Sequence, residues 1–178
     1  MINKHSKSVK IVLPAIVLAT FTGIVGGCAL STPEVPESVP DSQGLGVIPA
    51  LNLDSRGRAL RGYDAVAYFE KGEAVTGETT WSVAWNGANW YFSSPENQAA
   101  FSEDPEKFAP RNGGYCTFGV VLSKKFDGDP TVWLVHNEEL YVFLDEEVKA
   151  KFLQDISGNF ERVRNNWPLI KDKLPGEL

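Results

Sequence analysis

The chain has 178 residues, of which 43% are hydrophobic and 22% are charged, and its formal net charge at pH 7 is −6. An acidic chain without a Lys/Arg cluster is a poor partner for nucleic acid or for an anionic lipid surface. The length suffices for one hydrophobic core but not for two domains, and we expect no internal repeat.

The N-terminus is typical of an export signal. Its first ten residues carry three lysines and no acid, and residues 11–25 are almost wholly apolar. That run is shorter than the roughly 20 residues that a membrane span needs, so we predict a signal peptide over residues 1–27. The stretch Val25-Gly26-Gly27-Cys28 resembles the bacterial lipobox, which implies that Cys28 becomes the first mature residue and carries lipid (fatty-acyl chains such as palmitate). The alternative is an ordinary signal peptide, cut elsewhere, with Cys28 left free.

Lipidation at Cys28 would have three consequences. Removal of residues 1–27 changes Lys+Arg from 17 to 14 against 23 acids, so the net charge moves from −6 to −9. Cys116 becomes the single thiol of the mature chain, which then forms no internal disulfide. Ala29 after the lipidated cysteine favours sorting to the periplasmic face of the outer membrane in a bacterium that has two membranes. The predicted membrane contact is therefore the lipid anchor itself.

Residues 28–50 form the predicted tether. They contain four prolines, with Ser, Glu and Gly between them and few apolar side chains. Such a composition cannot offset the entropy cost of ordering, so we predict a disordered spacer. Residues 51–178 are then the folded domain.

Two hairpins are predicted in this domain. Residues 81–85 and 88–92 flank Asn86-Gly87, a pair suited to a type I′ turn because both residues need positive φ. The turn pairs Trp85 with Ala88, Val83 with Trp90 and Trp81 with Phe92, and all six side chains share one face. That face is predicted to be a core wall, with an aromatic ligand platform as the alternative. Residues 131–136 and 140–144, around Asn137-Glu138-Glu139, predict the second hairpin.

Short helices are predicted to follow the hairpins. Ser94 and Asp104 are expected N-caps, each followed by Pro and Glu. Asp145 is expected to cap a helix that ends at Gly158, and a last helical segment should stop at Pro168. Hairpins that alternate with short helices indicate an α+β fold of antiparallel hairpins packed with short helices.

An ordered series of motifs resembles the YHS domain family, and in particular its longer exported, selenoprotein-like group. The resemblance runs from about residue 61 to residue 167. Its motifs are Gly62-Tyr-Asp-Ala-Val-Ala-Tyr-Phe69, Trp90-Tyr-Phe-Ser-Ser-Pro-Glu-Asn97, Phe101 with Asp104-Pro-Glu-Lys-Phe108, and Gly113-Gly-Tyr-Cys116.

The resemblance implies metal handling for short family members, but this chain departs from their pattern. Where those members carry cysteines, it has Ala67, Ser93 and Asn97. Soft metals prefer thiolate or imidazole ligands. The cofactor stays open, with a transition metal as the candidate and Cys116 and His136 as its candidate ligands.

Cys116 is the candidate reactive thiol. The resemblance implies that selenocysteine occupies the equivalent position in some relatives, which favours redox chemistry. Gly113, Gly114 and Tyr115 are expected to form a supporting turn whose N–H groups point at a thiolate, and Arg111 could lower its pKa. A buried structural cysteine is the alternative, since Cys is among the most buried residue types.

Two further side chains are candidates. His136 is either a surface or turn residue or, paired with Cys116, part of a thiolate or metal site. Asp64 is either a site carboxylate or the cap of a local turn.

We therefore expect a lipid-anchored extracytoplasmic YHS-like module that binds a small ligand, a metal ion or an envelope protein without catalysis. The alternative is a thiol oxidoreductase that uses Cys116 and is reduced by a separate partner. A purely architectural role in the envelope is a third hypothesis.

Overall fold

The structure, a computed structural model, describes residues 48–178. The predicted signal peptide, Cys28 and the predicted tether up to residue 47 lie outside the described residues. The elements follow in the order α1 (Ala67–Glu70), β1 (Glu78–Trp85), β2 (Ala88–Phe92), α2 (Pro95–Glu103), α3 (Pro105–Phe108), α4 (Thr117–Val121), β3 (Asp129–His136), β4 (Glu139–Phe143), α5 (Glu146–Leu153) and α6 (Ile156–Ile170).

This arrangement confirms the predicted α+β fold. The strands form two antiparallel hairpins, β1–β2 and β3–β4, and short helices pack around them. No helix in the described part of the chain is long and apolar enough to cross a membrane.

The first hairpin follows the prediction near its turn and departs from it further away. Asn86 and Gly87 both have positive φ, and Trp85 pairs with Ala88. The predicted pair of Trp81 with Phe92 is wrong, because Phe92 pairs with Glu78 instead. The pairing shifts between residues 78 and 82, where extra residues of β1 bulge out. The predicted core wall is confirmed, since Ala88, Trp90 and Phe92 are buried.

The second hairpin has a tighter turn than predicted. The two residues Asn137 and Glu138 connect the strands, both with positive φ, and His136 pairs with Glu139. A two-residue turn of this kind matches the twist of the strands. Glu139 therefore belongs to β4 rather than to the loop.

The predicted N-caps are confirmed, and one predicted helix is divided in two. Ser94, Asp104 and Asp145 each accept a hydrogen bond from a backbone N–H three residues later. The prediction that one helix runs to Gly158 is wrong, because α5 ends at Leu153 and α6 begins with Asp155 as its N-cap.

The predictions that Gly158 and Pro168 each end a helix are wrong. Gly158 lies in the first turn of α6, where its N–H donates to Asp155 Oδ1. A Cβ at Gly158 would lie 2.3 Å from Asp155 Oδ2, so the close cap explains the glycine. Pro168 lies inside α6, which continues to Ile170.

The expectation of no internal repeat is wrong. A plan of left-handed turn, short helix, hairpin and capped helices occurs twice, in residues 59–109 (the N-terminal repeat) and 111–160 (the C-terminal repeat). Each repeat opens with three consecutive residues of positive φ, which are Leu60 to Gly62 in one and Asn112 to Gly114 in the other. The next residues, Tyr63 and Tyr115, are 52 positions apart and each forms an isolated antiparallel bridge.

The hairpins and caps repeat with an offset of 51. The pairing shift between Glu78 and Ser82 in the first hairpin is matched by one between Asp129 and Trp133 in the second. The caps Ser94 and Asp145, and likewise Asp104 and Asp155, also lie 51 residues apart. Sequence divergence hides this repeat, because few of the matched positions hold the same residue type.

Each repeat has its own hydrophobic cluster, and β4 contributes to both. Leu140 and Val142 belong to the first cluster, whereas Tyr141 and Phe143 belong to the second. Side chains of a strand alternate between its two faces. Strand β4 is therefore buried on both faces and joins the two repeats into one compact unit.

Candidate functional site

Cys116 lies in the interior of the C-terminal repeat. Its side chain is 1% exposed and packs in the second cluster with Val120 and Phe143. The Sγ atom accepts a hydrogen bond from the backbone N–H of Leu144 at 3.3 Å. A reactive thiol needs access to its substrate, so this placement is that of a core residue.

The turn formed by Gly113 and Gly114, directly before Cys116, binds the segment of residues 50–52 at the start of the described chain. Gly113 O accepts a hydrogen bond from the N–H of Asn52 at 2.9 Å, and Gly114 O accepts one from Asn52 Nδ2 at 3.1 Å. A Cβ at Gly113 would lie 1.8 Å from the carbonyl oxygen of Ala50, so only glycine allows this approach. The turn closes the domain, and its N–H groups are not the ones that bond Cys116 Sγ.

Asp64 is a fully bonded internal carboxylate. Its Oδ1 accepts the backbone N–H groups of Val66 at 2.9 Å and Ala67 at 3.3 Å. Its Oδ2 accepts the N–H and hydroxyl of Ser93 and the Nδ2 of Asn97, each at 2.7 Å. The positions at which the family resemblance suggested cysteines thus meet around this carboxylate. Asp64 joins α1 to the start of α2, which favours the turn-capping alternative.

His136 makes no hydrogen bond to Cys116 within residues 48–178. Its ring stacks on Phe160, with centroids 4.6 Å apart and an angle of 13° between the planes. It lines a large cleft, whereas Cys116 does not. Within residues 48–178, no group of three or more His, Cys, Asp or Glu side chains is placed to hold a metal ion.

The cleft that His136 lines has a volume of about 890 Å³. Ligand pockets for small molecules span roughly 300–1,000 Å³. Both repeats form its walls, and several lining residues occupy equivalent positions, namely Trp85 and His136, Asn86 and Asn137, Trp90 and Tyr141, Glu106 and Ser157, and Ala109 and Phe160. We call this space the inter-repeat cleft.

The two walls of the inter-repeat cleft differ in chemistry. The N-terminal repeat contributes Trp85 and Trp90, whose rings pack together at 5.7 Å between centroids. At the equivalent positions the C-terminal repeat contributes His136, with two ring nitrogens, and Tyr141, with a hydroxyl group. The Trp90 N–H donates to the Trp85 carbonyl oxygen at 3.1 Å, so the indole pair offers mainly ring surface, whereas His136 and Tyr141 offer hydrogen-bonding groups.

A charged network forms the polar wall. Arg111 Nη2 lies 2.9 Å from Glu139 Oε1, and Tyr141 Oη donates a hydrogen bond to Glu139 Oε2. Burial and this hydrogen bond raise the pKa of Tyr141 far above its usual value. Arg111, predicted to influence Cys116, is thus paired with Glu139. Arg164 also lines the cleft, and none of the described carboxylates lies within 4 Å of its guanidinium.

Asn112 adds an unusual polar group to the wall of the cleft. Its side chain is 6% exposed, and its Nδ2 has no hydrogen-bond partner among the described residues. Leaving a buried amide unpaired costs about 1–3 kcal/mol. The equivalent residue of the N-terminal repeat is Leu60, also buried and also with positive φ. The backbone conformation therefore does not require asparagine here.

Sequence reasoning missed Lys125, which is buried and joins both ends of the described chain. Its Nζ donates to the carbonyl oxygens of Pro49, Lys171 and Lys173 at 2.7, 2.7 and 2.6 Å. The ammonium also lies 5.1 Å from the centroid of the Tyr115 ring. Burial lowers the pKa of Lys125. The sequence shows Lys125 only as one of two adjacent lysines, so no local pattern predicted its role.

Sequence reasoning also missed the inter-repeat cleft. The available signal was the spacing of Gly62-Tyr63 and Gly114-Tyr115, followed by two hairpin turns that each begin with asparagine. Recognising that spacing would have placed Trp85 and His136 at equivalent positions.

A comparison of the chain with protein-family models, curated proteins and solved structures found no match. The geometry of the inter-repeat cleft is therefore the basis for a function.

Proposed function

We propose that this protein is a lipid-anchored extracytoplasmic YHS-like module that binds a small organic ligand in the inter-repeat cleft. The observation that carries the proposal is the cleft of about 890 Å³, to which one repeat contributes the indole rings of Trp85 and Trp90 and the other contributes the charged network around Glu139. Concave sites of this volume that combine aromatic surface with polar groups are typical of small-molecule binding. The anchor at Cys28 would attach this cleft to the membrane through the spacer predicted over residues 28–50.

Binding fits the structure better than the thiol-redox alternative. The candidate nucleophile Cys116 is buried in the second cluster and is not part of the cleft lining. A ligand in the cleft would therefore not meet its Sγ atom without a rearrangement of the core.

Alkylation of Cys116 separates the two functions. In a purified chain that carries Cys28→Ser, Cys116 is the single thiol, and we expect iodoacetamide to react with it only after unfolding in urea. The control is Ser102→Cys combined with Cys28→Ser and Cys116→Ala, because Ser102 is exposed. If native Cys116 reacted as fast as this surface thiol, the redox alternative would regain its support.

Titration with small planar molecules tests the cleft directly. Indole, indole-3-carboxylate and tryptamine have similar rings and differ in charge. We expect at least one of them to bind with a Kd at or below about 1 mM. In NMR spectra, the indole N–H signals of Trp85, Trp90 and Trp167, which line the cleft, should shift. The signals of Trp81 and Trp133, which are not part of the lining, should stay in place.

A variant that fills the cleft provides the control. Ser157 is exposed and lines the cleft, so Ser157→Trp should block binding without a change in melting temperature. If none of the three molecules shifts the signals of the cleft residues, or if Ser157→Trp binds as well as the parent chain, the proposed function is wrong.

The lipid anchor has a separate test. Cys28→Ser removes the proposed acceptor of the lipid, so the variant should leave the membrane fraction of expressing bacteria. Retention of the variant in membranes would count against anchoring at Cys28.

A further inference from the structure

The volume of the inter-repeat cleft does not determine the chemical class of its ligand. The side chains that line the cleft restrict that class. Lining cations are Arg111, Arg164 and Lys171, and lining acids are Glu106 and Glu139. The cleft lining is thus slightly cationic on a chain whose net charge is −6. Fields within a cleft raise the local concentration of ligands of opposite charge.

The cations of the polar wall are not equally available. Arg111 is paired with Glu139, whose other oxygen accepts the Tyr141 hydroxyl. Arg164 has no such partner within the described chain. A guanidinium without a carboxylate partner suits a carboxylate ligand, because its N–H groups match the two oxygens.

Asn112 is a second group whose hydrogen bonding is incomplete. The amide Nδ2 is a donor, and it lacks an acceptor in the described part of the chain. Asn112 follows Arg111 directly and shares the cleft lining with Arg164. Because the Nδ2 atom is buried, the Asn112 side chain must rotate before a ligand oxygen accepts from it.

The opposite wall selects for a flat apolar body. Trp85 and Trp90 come from β1 and β2, and their rings are held in place by Phe101, at 5.8 and 4.9 Å between centroids. Aromatic rings prefer to pack against other rings in offset or edge-to-face arrangements. A planar ring system therefore suits this side of the cleft.

We propose that the inter-repeat cleft binds a planar aromatic carboxylate, with its ring against Trp85, the more exposed of the two indoles, and its carboxylate on Asn112 and Arg164. This inference rests on the proposed function, because it names the ligand class of the same site. The carboxylate would supply the acceptor that Asn112 lacks and the counter-charge that Arg164 lacks.

The three probe molecules test the ligand class. Indole-3-carboxylate should bind at least about tenfold more tightly than indole, since a charged hydrogen bond is worth about this factor or more. Tryptamine, whose charge is opposite, should bind more weakly than indole. Equal affinities for all three would overturn the aromatic-carboxylate class but leave ligand binding in place. Failure of all three would overturn the proposed function itself.

Asn112→Leu is the sharpest variant, because it copies the residue that the N-terminal repeat carries at the equivalent position. We expect a melting temperature close to that of the parent chain, because removal of an unpaired buried amide stabilises the fold, whereas leucine at a positive φ destabilises it. Affinity for indole-3-carboxylate should fall about tenfold, and affinity for indole should stay unchanged. An unchanged affinity for the carboxylate would overturn the role of Asn112.

Arg164→Gln tests the charge. This variant should weaken binding of indole-3-carboxylate. The affinity should also depend less on salt concentration, because the cation whose charge is screened by salt is no longer present. Arg162→Gln is the matched control, as Arg162 is not part of the cleft lining and pairs with Asp155 instead. Equal effects of the two substitutions would overturn the assignment of Arg164 as the carboxylate partner.

Discussion

Position 64 of the N-terminal repeat is an aspartate, and the equivalent position 116 of the C-terminal repeat is a cysteine. Both side chains are buried. Asp64 accepts a hydrogen bond from the backbone N–H of Ser93. Cys116 accepts one from the backbone N–H of Leu144, and Leu144 lies 51 residues after Ser93. The two side chains thus perform the same structural task, which is to bond the residue that follows the second strand of the hairpin.

The cleft walls show a different outcome at equivalent positions. Trp85 and Trp90 of one repeat are matched by His136 and Tyr141 of the other. Asp64 and Cys116 keep one structural task although their residue types differ, whereas the equivalent cleft positions differ in the groups that they present to a ligand. The comparison therefore separates residues that hold the fold from residues that are free to determine ligand binding.

The largest effect is expected for the equivalent core residues Phe101 and Phe152. Both side chains are fully buried, so Phe101→Ala and Phe152→Ala should each lower the free energy of unfolding by about 3–5 kcal/mol. Because β4 contributes to both clusters, each variant should still unfold in one transition. Urea unfolding followed by tryptophan fluorescence and by circular dichroism measures both quantities.

The exposed residue Phe126 provides the control for these core variants. Phe126→Ala should cost far less than either of them. Two separate transitions in Phe101→Ala or Phe152→Ala would show that the repeats unfold independently and would contradict the joining role of β4.

A smaller and unequal effect is expected at positions 64 and 116. Asp64→Ala removes the acceptor of five hydrogen bonds and should cost about 3 kcal/mol or more. Cys116→Ala removes one weak acceptor and a small volume, so it should cost about 1–2 kcal/mol. Urea unfolding at neutral pH gives both values. An equal or larger loss for Cys116→Ala would mean that the sulfur contributes more than this single hydrogen bond.

Local sequence patterns predicted much of the fold because their causes are local. Ser94 and Asp145 cap helices through bonds to residues three positions away, and Asn86-Gly87 determines its own turn. The α+β class followed from these signals. A bulge in β1 makes Phe92 pair with Glu78 instead of Trp81. This bulge depends on contacts between the strand and the rest of the domain, so the turn alone could not predict it.

The candidate site was harder to predict than the fold. Burial of Cys116 and of Asp64 depends on contacts with residues 28 and 29 positions away, namely Leu144 and Ser93. A sequence with a single free thiol draws attention to that thiol, although the structure places it in the core. The inter-repeat cleft arises from the packing of two halves whose similarity lies in backbone conformation, which the residue types do not display.

The smallest effect is expected where each hairpin begins, at Glu78 and Asp129. Hydrogen bonds from the Thr131 hydroxyl and N–H lower the pKa of Asp129, with burial acting in the opposite direction. Because the folded-state pKa is lowered, the ionised carboxylate stabilises the fold above the unfolded pKa of about 3.9. That contribution is lost as the pH falls through the folded-state pKa. Asp129→Asn should therefore cost roughly 0.5 kcal/mol at pH 7, since the group is partly exposed.

Unfolding measurements at pH 7 and pH 2.5 test this prediction. The difference between the parent chain and Asp129→Asn should shrink at the lower pH, as the parent carboxyl group takes up a proton. Glu78→Gln is the matched control, because Glu78 is exposed and its carboxylate accepts no hydrogen bond from the described residues. A cost for Asp129→Asn that stayed constant between the two pH values would mean that its hydrogen bonds do not depend on the charge.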